Sequence, residues 1–343
     1  MDLRNRDLQD GLFLDKCNLT SQPDFSDVHA RALDLAENSI GVLFEQFLPQ
    51  GIQVVDFSYN YIYDDGLPDW WPDTLEELYL TGNSIRNQDV NLWSARNLKV
   101  LCLSKNPLQH LPGHLPFTLE RLYVDKTQIK RTGLLPPHLK VFSAAGACLR
   151  SIRIPRTVEK LFLQRNFLQS AQLPRDWGTQ LEILNLEHNK LTHFPKGLPD
   201  SLRVLKLSYN EITSIPEDLP EKLTFLAIGH NKIRSVALTK RKTPIQCVCV
   251  MNNQLTVVLK DEQAKNNIQW ASSILEEDNW NTDEYSVFAR TLQKAYRNYR
   301  LKKILRTWKK QAQIREELLA TSMHPSRAGQ YEDVSPEWNH WGC

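Results

Sequence analysis

The sequence is poor in the features that announce chemistry or a membrane. It has three methionines and six cysteines in 343 residues. None of the cysteines (Cys17, Cys102, Cys148, Cys247, Cys249, Cys343) falls in a CxxC pair, which argues against a zinc site and against a secreted disulfide framework. Cys17 and Cys102 lie inside apolar patterns and are expected to be buried, inert thiols. No run of about 18 apolar residues occurs, and the opening "MDLRNRDLQDGLFL" lacks the apolar core of a signal peptide. A soluble intracellular, cytoplasmic protein is the expectation. A Gly-rich phosphate loop, an HExxH helix and a GxSxG elbow are all missing, so no enzyme, no cofactor and no metal site is expected.

An excess of either charge is lacking too: 42 Lys and Arg against 40 Asp and Glu give +2. Such a balance says nothing of partners until its distribution is examined. That distribution is uneven. Tyr285 to Arg315 carries ten basic residues and no acidic one, which leaves −8 on the remainder.

What the sequence has in abundance is a repeat. The pattern LxxLxLxxNxL recurs at about 20 to 23 residues. Clear copies are "LEELYLTGNSI", "LKVLCLSKNPL", "VEKLFLQRNFL", "LEILNLEHNKL", "LRVLKLSYNEI" and "LTFLAIGHNKI". The asparagine position runs Cys17, Asn38, Asn60, Asn83, Asn106, Thr127, Ala147, Asn166, Asn189, Asn210, Asn231 and Asn253, twelve copies in all. Proline-rich segments such as "HLPGHLPFTL" and "HFPKGLPDSL" join several copies. Proline removes helix donors and fixes an extended backbone, so the side opposite the strands should be polyproline-like rather than helical.

Residues 12 to 255 resemble the leucine-rich-repeat family, and the proline spacing is similar to the short LPxxLPxxL repeats of secreted bacterial effectors. The resemblance implies an α/β repeat solenoid: a curved array with a parallel concave sheet, a mostly non-helical convex side and a helical C-terminal extension. It also implies that each asparagine caps backbone groups where the chain leaves a strand. Thr127 and Ala147 should then weaken the ladder locally. The expected organisation is a solenoid of about 12 repeats over 1–260, a capping helix and linker over 261–280, a long basic helix over 281–320 and an irregular arm over 321–343.

Period-2 alternation turns the leucines inward and the residues between them outward. The outward row reads Phe13, Asp34, Asp56, Tyr79, Cys102, Tyr123, Ser143, Phe162, Asn185, Lys206, Ala227, Cys249. Within it Tyr79, Tyr123 and Phe162, with Arg121 and Lys160 beside them, are the expected contact patch for a protein partner, because aromatic and arginine side chains dominate interface hot spots. His188, His230 and Glu187 lie near one another and read as surface polar groups rather than a catalytic pair. The effectors with similar repeats often end in a ubiquitin-ligase domain with a Cys-x-Asp nucleophile; that motif is absent, and the segment after the array is too short for the domain.

The basic segment contains "LQKAYRNYRLKK". Leu292, Gln293, Arg297, Asn298 and Lys302 resemble the IQ motif, which binds calmodulin and related EF-hand proteins, although the family expects glycine at Asn298. The expected docking helix presents Phe288, Leu292, Gln293, Tyr296, Arg297, Tyr299, Lys302 and Trp308 to a calmodulin-like or otherwise acidic protein. Packing of the same stripe on the solenoid or on other assembly subunits is the alternative, and contact with nucleic acid or an anionic membrane is a third. "MHPSR" is similar to endings of repeat proteins of large DNA viruses. The functional expectation is a non-enzymatic scaffold, with a structural component of a virion or other large assembly as the rival.

Overall fold

The computed structural model describes residues 10–86, 90–236, 245, 247–250, 252–254 and 257–258, all within one compact unit, Met1–Ala271. The expected helices over 261–280 and 281–320, the arm over 321–343 and the docking residues from Phe288 to Trp308 lie outside the described residues.

Each LxL core forms a strand only three residues long. In chain order these are β1 (Gly11–Phe13), β2 (Ala32–Asp34), β3 (Val54–Asp56), β4 (Glu77–Tyr79), β5 (Val100–Cys102), β6 (Arg121–Tyr123), β7 (Val141–Ser143), β8 (Lys160–Phe162), β9 (Ile183–Asn185), β10 (Val204–Lys206) and β11 (Phe225–Ala227). Two-residue β12 (Ser235–Val236), β13 (Cys247–Cys249) and two-residue β14 (Val257–Val258) follow. Strands β1 to β11 and β13 make one twelve-stranded parallel sheet in sequence order, while β12 pairs with β14 apart from it. The register never slips: Leu78 faces Leu101, which faces Leu122, which faces Phe142. A one-residue slip would turn a whole leucine set to the other face. The inward column Leu33, Val55, Leu78, Leu101, Leu122, Phe142, Leu161, Leu184, Leu205 and Leu226 is fully buried.

The asparagines form the ladder that the resemblance implies. Asn60, buried, accepts the Ile40 amide at 3.0 Å and donates to Leu35 O of the preceding repeat at 2.9 Å and to Phe57 O of its own at 3.1 Å. The same set recurs at Asn106, Asn189 and Asn231. Thr127 keeps only the local bond, its hydroxyl donating to Val124 O at 2.9 Å. Ala147 keeps no side-chain bond. Other residues take over between these repeats. Ser104 Oγ accepts the Asp125 amide at 3.0 Å, and the Asp125 carboxylate accepts from Ser143 Oγ at 2.5 Å and from the Ala145 amide at 2.6 Å. The expected local weakness is therefore partly offset by a substitute staple.

Among the described residues the side opposite the sheet holds no α-helix, only single 3-10 turns at Glu45–Phe47, Asp64–Gly66 and Ser170–Gln172. The prolines have a definite task there. In six repeats a proline carbonyl accepts the amide three residues on, that of the first apolar residue of the next strand segment: Pro72 to Leu75, Pro116 to Leu119, Pro136 to Leu139, Pro155 to Val158, Pro199 to Leu202 and Pro220 to Leu223, at 3.0 to 3.4 Å. In four of these turns the residue before that apolar one is Thr or Ser. The hydroxyls of Thr74, Thr118, Thr157 and Ser201 donate to the carbonyls of Ile52, Leu98, Leu139 and Leu181 in the preceding repeat, at 2.7 to 2.9 Å.

The cysteines depart from expectation. Cys17 is exposed and its thiol donates to Asp15 O at 3.5 Å. Cys102 is half-buried on the outward row, 3.0 Å from Thr81 Oγ1, rather than in the core. Cys148 is disulfide-bonded, which the scattered spacing does not anticipate.

Candidate binding surface

The outward row inferred from alternation exists as one continuous line, each residue paired in register with the next from Phe13 to Ala227. Its two halves differ. At the N-terminal end Ala32, Val54, Tyr79 and Val100 form a buried cluster, with Phe13, Cys102 and Tyr123 packed against it. Tyr79 is only 6% exposed and its hydroxyl donates to Glu77 Oε2 at 2.6 Å. It is thus a filler of the face rather than an accessible aromatic. Asp56, also buried, has its carboxyl held above the ordinary range by that burial.

Beyond this cluster the face opens. Arg121 and Lys160 are exposed, and Tyr123 and Phe162 are half-buried. Burial pushes the Tyr123 phenol up. Tyr123 and Phe162 stand two strands apart with small Ser143 between them, so the rings flank a gap of about 10 Å. The Ser143 hydroxyl at the bottom of that gap is turned to Asp125, whose carboxyl is raised by burial and lowered by its bonds from Ser143 and Ala145. Ile183, Val204 and Phe225 continue the half-buried face towards the C-terminal repeats.

A second line of side chains was not legible in the leucine pattern. The residue before each asparagine position takes a left-handed backbone in all twelve repeats: Lys16, Glu37, Tyr59, Gly82, Lys105, Lys126, Gly146, Arg165, His188, Tyr209, His230 and Asn252, with φ between 52° and 69°. For a residue other than glycine this conformation costs roughly 1 kcal/mol, and ten of the twelve positions are not glycine. Their side chains form a ridge along the sheet's edge. Near its N-terminal end a Cβ on Gly82 would fall 2.7 Å from the Tyr59 ring, and Lys105 Nζ reaches Tyr59 OH at 2.8 Å. Towards the C-terminal end His188, Tyr209 and His230 stack face to face, with centroids 4.1 and 4.0 Å apart and interplanar angles of 6° and 11°. Asn252 Nδ2 caps the column 3.0 Å from His230 Nε2. The two histidines are separated by a whole ring and cannot act on one atom together. Among the described residues no group of three His, Cys, Asp or Glu is placed to hold a metal ion.

Comparison with known proteins fits this geometry. The family description "Leucine rich repeat" matches residues 179–233. The repeat over residues 179–233 is a leucine-rich repeat. Mouse podocan is 32% identical over 204 residues, which are 55% of this chain and 30% of podocan. Human podocan-like protein 1 is 30% identical over 174 residues, 49% of this chain and 31% of that protein. The match thus spans under a third of the length of these relatives. Among solved structures, the leucine-rich-repeat array is similar to YopM from Yersinia enterocolitica WA-314, with a TM-score of 0.52 and 27% identity over 68% of this chain and 53% of YopM. A chain of the octameric complex of latrophilin 3, Unc5D and FLRT2 aligns with a TM-score of 0.55 at 22% identity, over 78% of this chain and 90% of that one, a likeness of fold.

Proposed function

We propose that this leucine-rich-repeat chain is a non-enzymatic scaffold that takes a segment of a protein partner on the outward face of its sheet, centred on Arg121, Tyr123, Lys160 and Phe162. The observation that carries the reading is the change along the face: packed shut through Tyr79 and Val100, then open, with two half-buried rings and two exposed cations around a small residue. Tyr79 supports the Tyr123 side of the gap and is not itself a contact. A partner with an apolar side chain for the gap and carboxylates for Arg121 and Lys160 would use what the surface offers. The basic segment from Tyr285 to Arg315, with its IQ-like stretch, is read as a second attachment point for an acidic protein, supported by its ten uncompensated cations.

A photo-reactive amino acid placed at position 162, and separately at the exposed connecting residue Leu134 (87% exposed), tests the face in the source cell. A partner should cross-link from 162 and not from 134, and Lys160→Glu combined with Arg121→Glu should reduce its capture at least tenfold. Equal yields from both positions would reject the face as the contact.

A further inference from the structure

We propose that the ridge from Lys126 through Arg165, His188 and Tyr209 to His230 is a second, separate binding surface, and that its occupant is an extended acidic peptide segment. Three observations converge. The first is charge: from Tyr59 to Asn252 the ridge positions carry lysine, arginine, histidine, tyrosine, glycine and asparagine but no acid. Facing them are Glu187 beside His188 and Glu211, which is engaged by Lys232 at 2.7 Å; Lys190 and Lys232 add positive charge on the flank.

The second is the ring column. Stacking takes four of the six faces of His188, Tyr209 and His230, and Asn252 lies against His230 at one end, so no space between the rings is open to an inserted base, as a single-strand binder requires. What they turn towards a ligand is polar edges in a fixed line, two imidazoles and a phenol, with Asn252 Nδ2 already against the His230 nitrogens at 3.0 and 3.3 Å. Tyr209 is 45% exposed. Such donors suit carboxylates. Third, Lys126 and His230 are five repeats apart, about 24 Å at the spacing of parallel strands, which matches about seven residues of extended peptide.

Burial most of all, then Arg165, disfavour a proton on His188; Glu187 favours one, and the His230 ring opposes it slightly. A bound carboxylate would reverse this balance. Peptide affinity should therefore rise as pH falls through the histidine range, where glutamate side chains remain ionised.

The test uses the full-length chain and fluorescence anisotropy with a labelled decapeptide of alternating Glu and Ser, beside a ten-nucleotide single-stranded DNA. Peptide binding should tighten roughly tenfold between pH 7.5 and 5.8. The double variant His188→Asn/His230→Asn, which keeps a residue tolerant of the left-handed backbone, should remove that pH step. Arg165→Glu should weaken binding about tenfold at both pH values. The segment Tyr285 to Arg315 contains no histidine, so any binding it contributes carries no such step. A pH step that survives the double histidine variant, no effect of Arg165→Glu in a protein whose circular dichroism is unchanged, or tighter binding of the DNA with the same sensitivity to ridge variants would each overturn the proposal.

Discussion

Asp125 shows how a single side chain can replace a missing ladder rung. It stands where the asparagine series is broken at Thr127 and Ala147, and ties its repeat to the next through Ser143 and the Ala145 amide. Asp125→Ala leaves both donors unmatched and should cost about 2 kcal/mol in urea unfolding at pH 7. The sign of its pH dependence follows from its raised carboxyl. The folded state holds the proton more tightly than the unfolded chain, so the proton-linked part of its contribution is full below the unfolded carboxyl value and is lost as pH rises through the folded one, leaving at pH 7 the bonds accepted from Ser143 and Ala145. Asp125→Asn should flatten that part of the stability profile. Thr127→Asn should in turn stabilise the array by about 1 kcal/mol, by restoring an acceptor for the Leu108 amide and a donor for the preceding repeat. No change in the urea midpoint would show that the site cannot seat the amide.

At the scale of elements, the strands, their register and the outward row were legible because leucine periodicity reports which way a side chain points relative to the core. The non-helical connections followed from proline for a similarly local reason. Periodicity does not report the sign of φ. The left-handed residue before Asn38, Asn60 or Asn210 is Glu37, Tyr59 or Tyr209, types that do not advertise a left-handed backbone. Cross-repeat contacts were equally hidden: that Tyr79 would be covered, that Cys17 would be exposed, or that Thr118 would reach Leu98 depends on neighbours some twenty residues away. The broken rungs give a direct check by hydrogen exchange. Amides of Leu108 and Ile129, which face Thr127 and Ala147, should exchange at least tenfold faster than those of Ile85 and Leu168, which donate to Asn106 and Asn189. The His188 column adds a pH effect on stability. Its lowered value means that stability present above the ordinary histidine range is lost as pH falls through the folded one. The melting temperature of His188→Asn should drop less between pH 7.5 and 5 than that of the parent.

At the scale of the whole molecule, a sheet in strict sequence order makes each repeat depend only on the one before and the one after, so stability is a chain of neighbour terms. Its weakest joint decides whether the array melts as one. Urea titration followed by hydrogen exchange of peptides within 90–120 and 155–190 should give coincident midpoints for the parent and separate ones for Asp125→Ala; coincidence in both would place the cooperative link elsewhere. The ridge has a further consequence of another kind. Its twelve occupants include no valine, isoleucine or threonine, the side chains that a left-handed backbone tolerates least. Many unbranched residues fit there at a cost of roughly 1 kcal/mol, while the leucines beneath allow almost no change. The ridge is therefore a column of text that can be rewritten repeat by repeat without touching the page it is printed on, and related proteins that share these leucines can carry different messages along it.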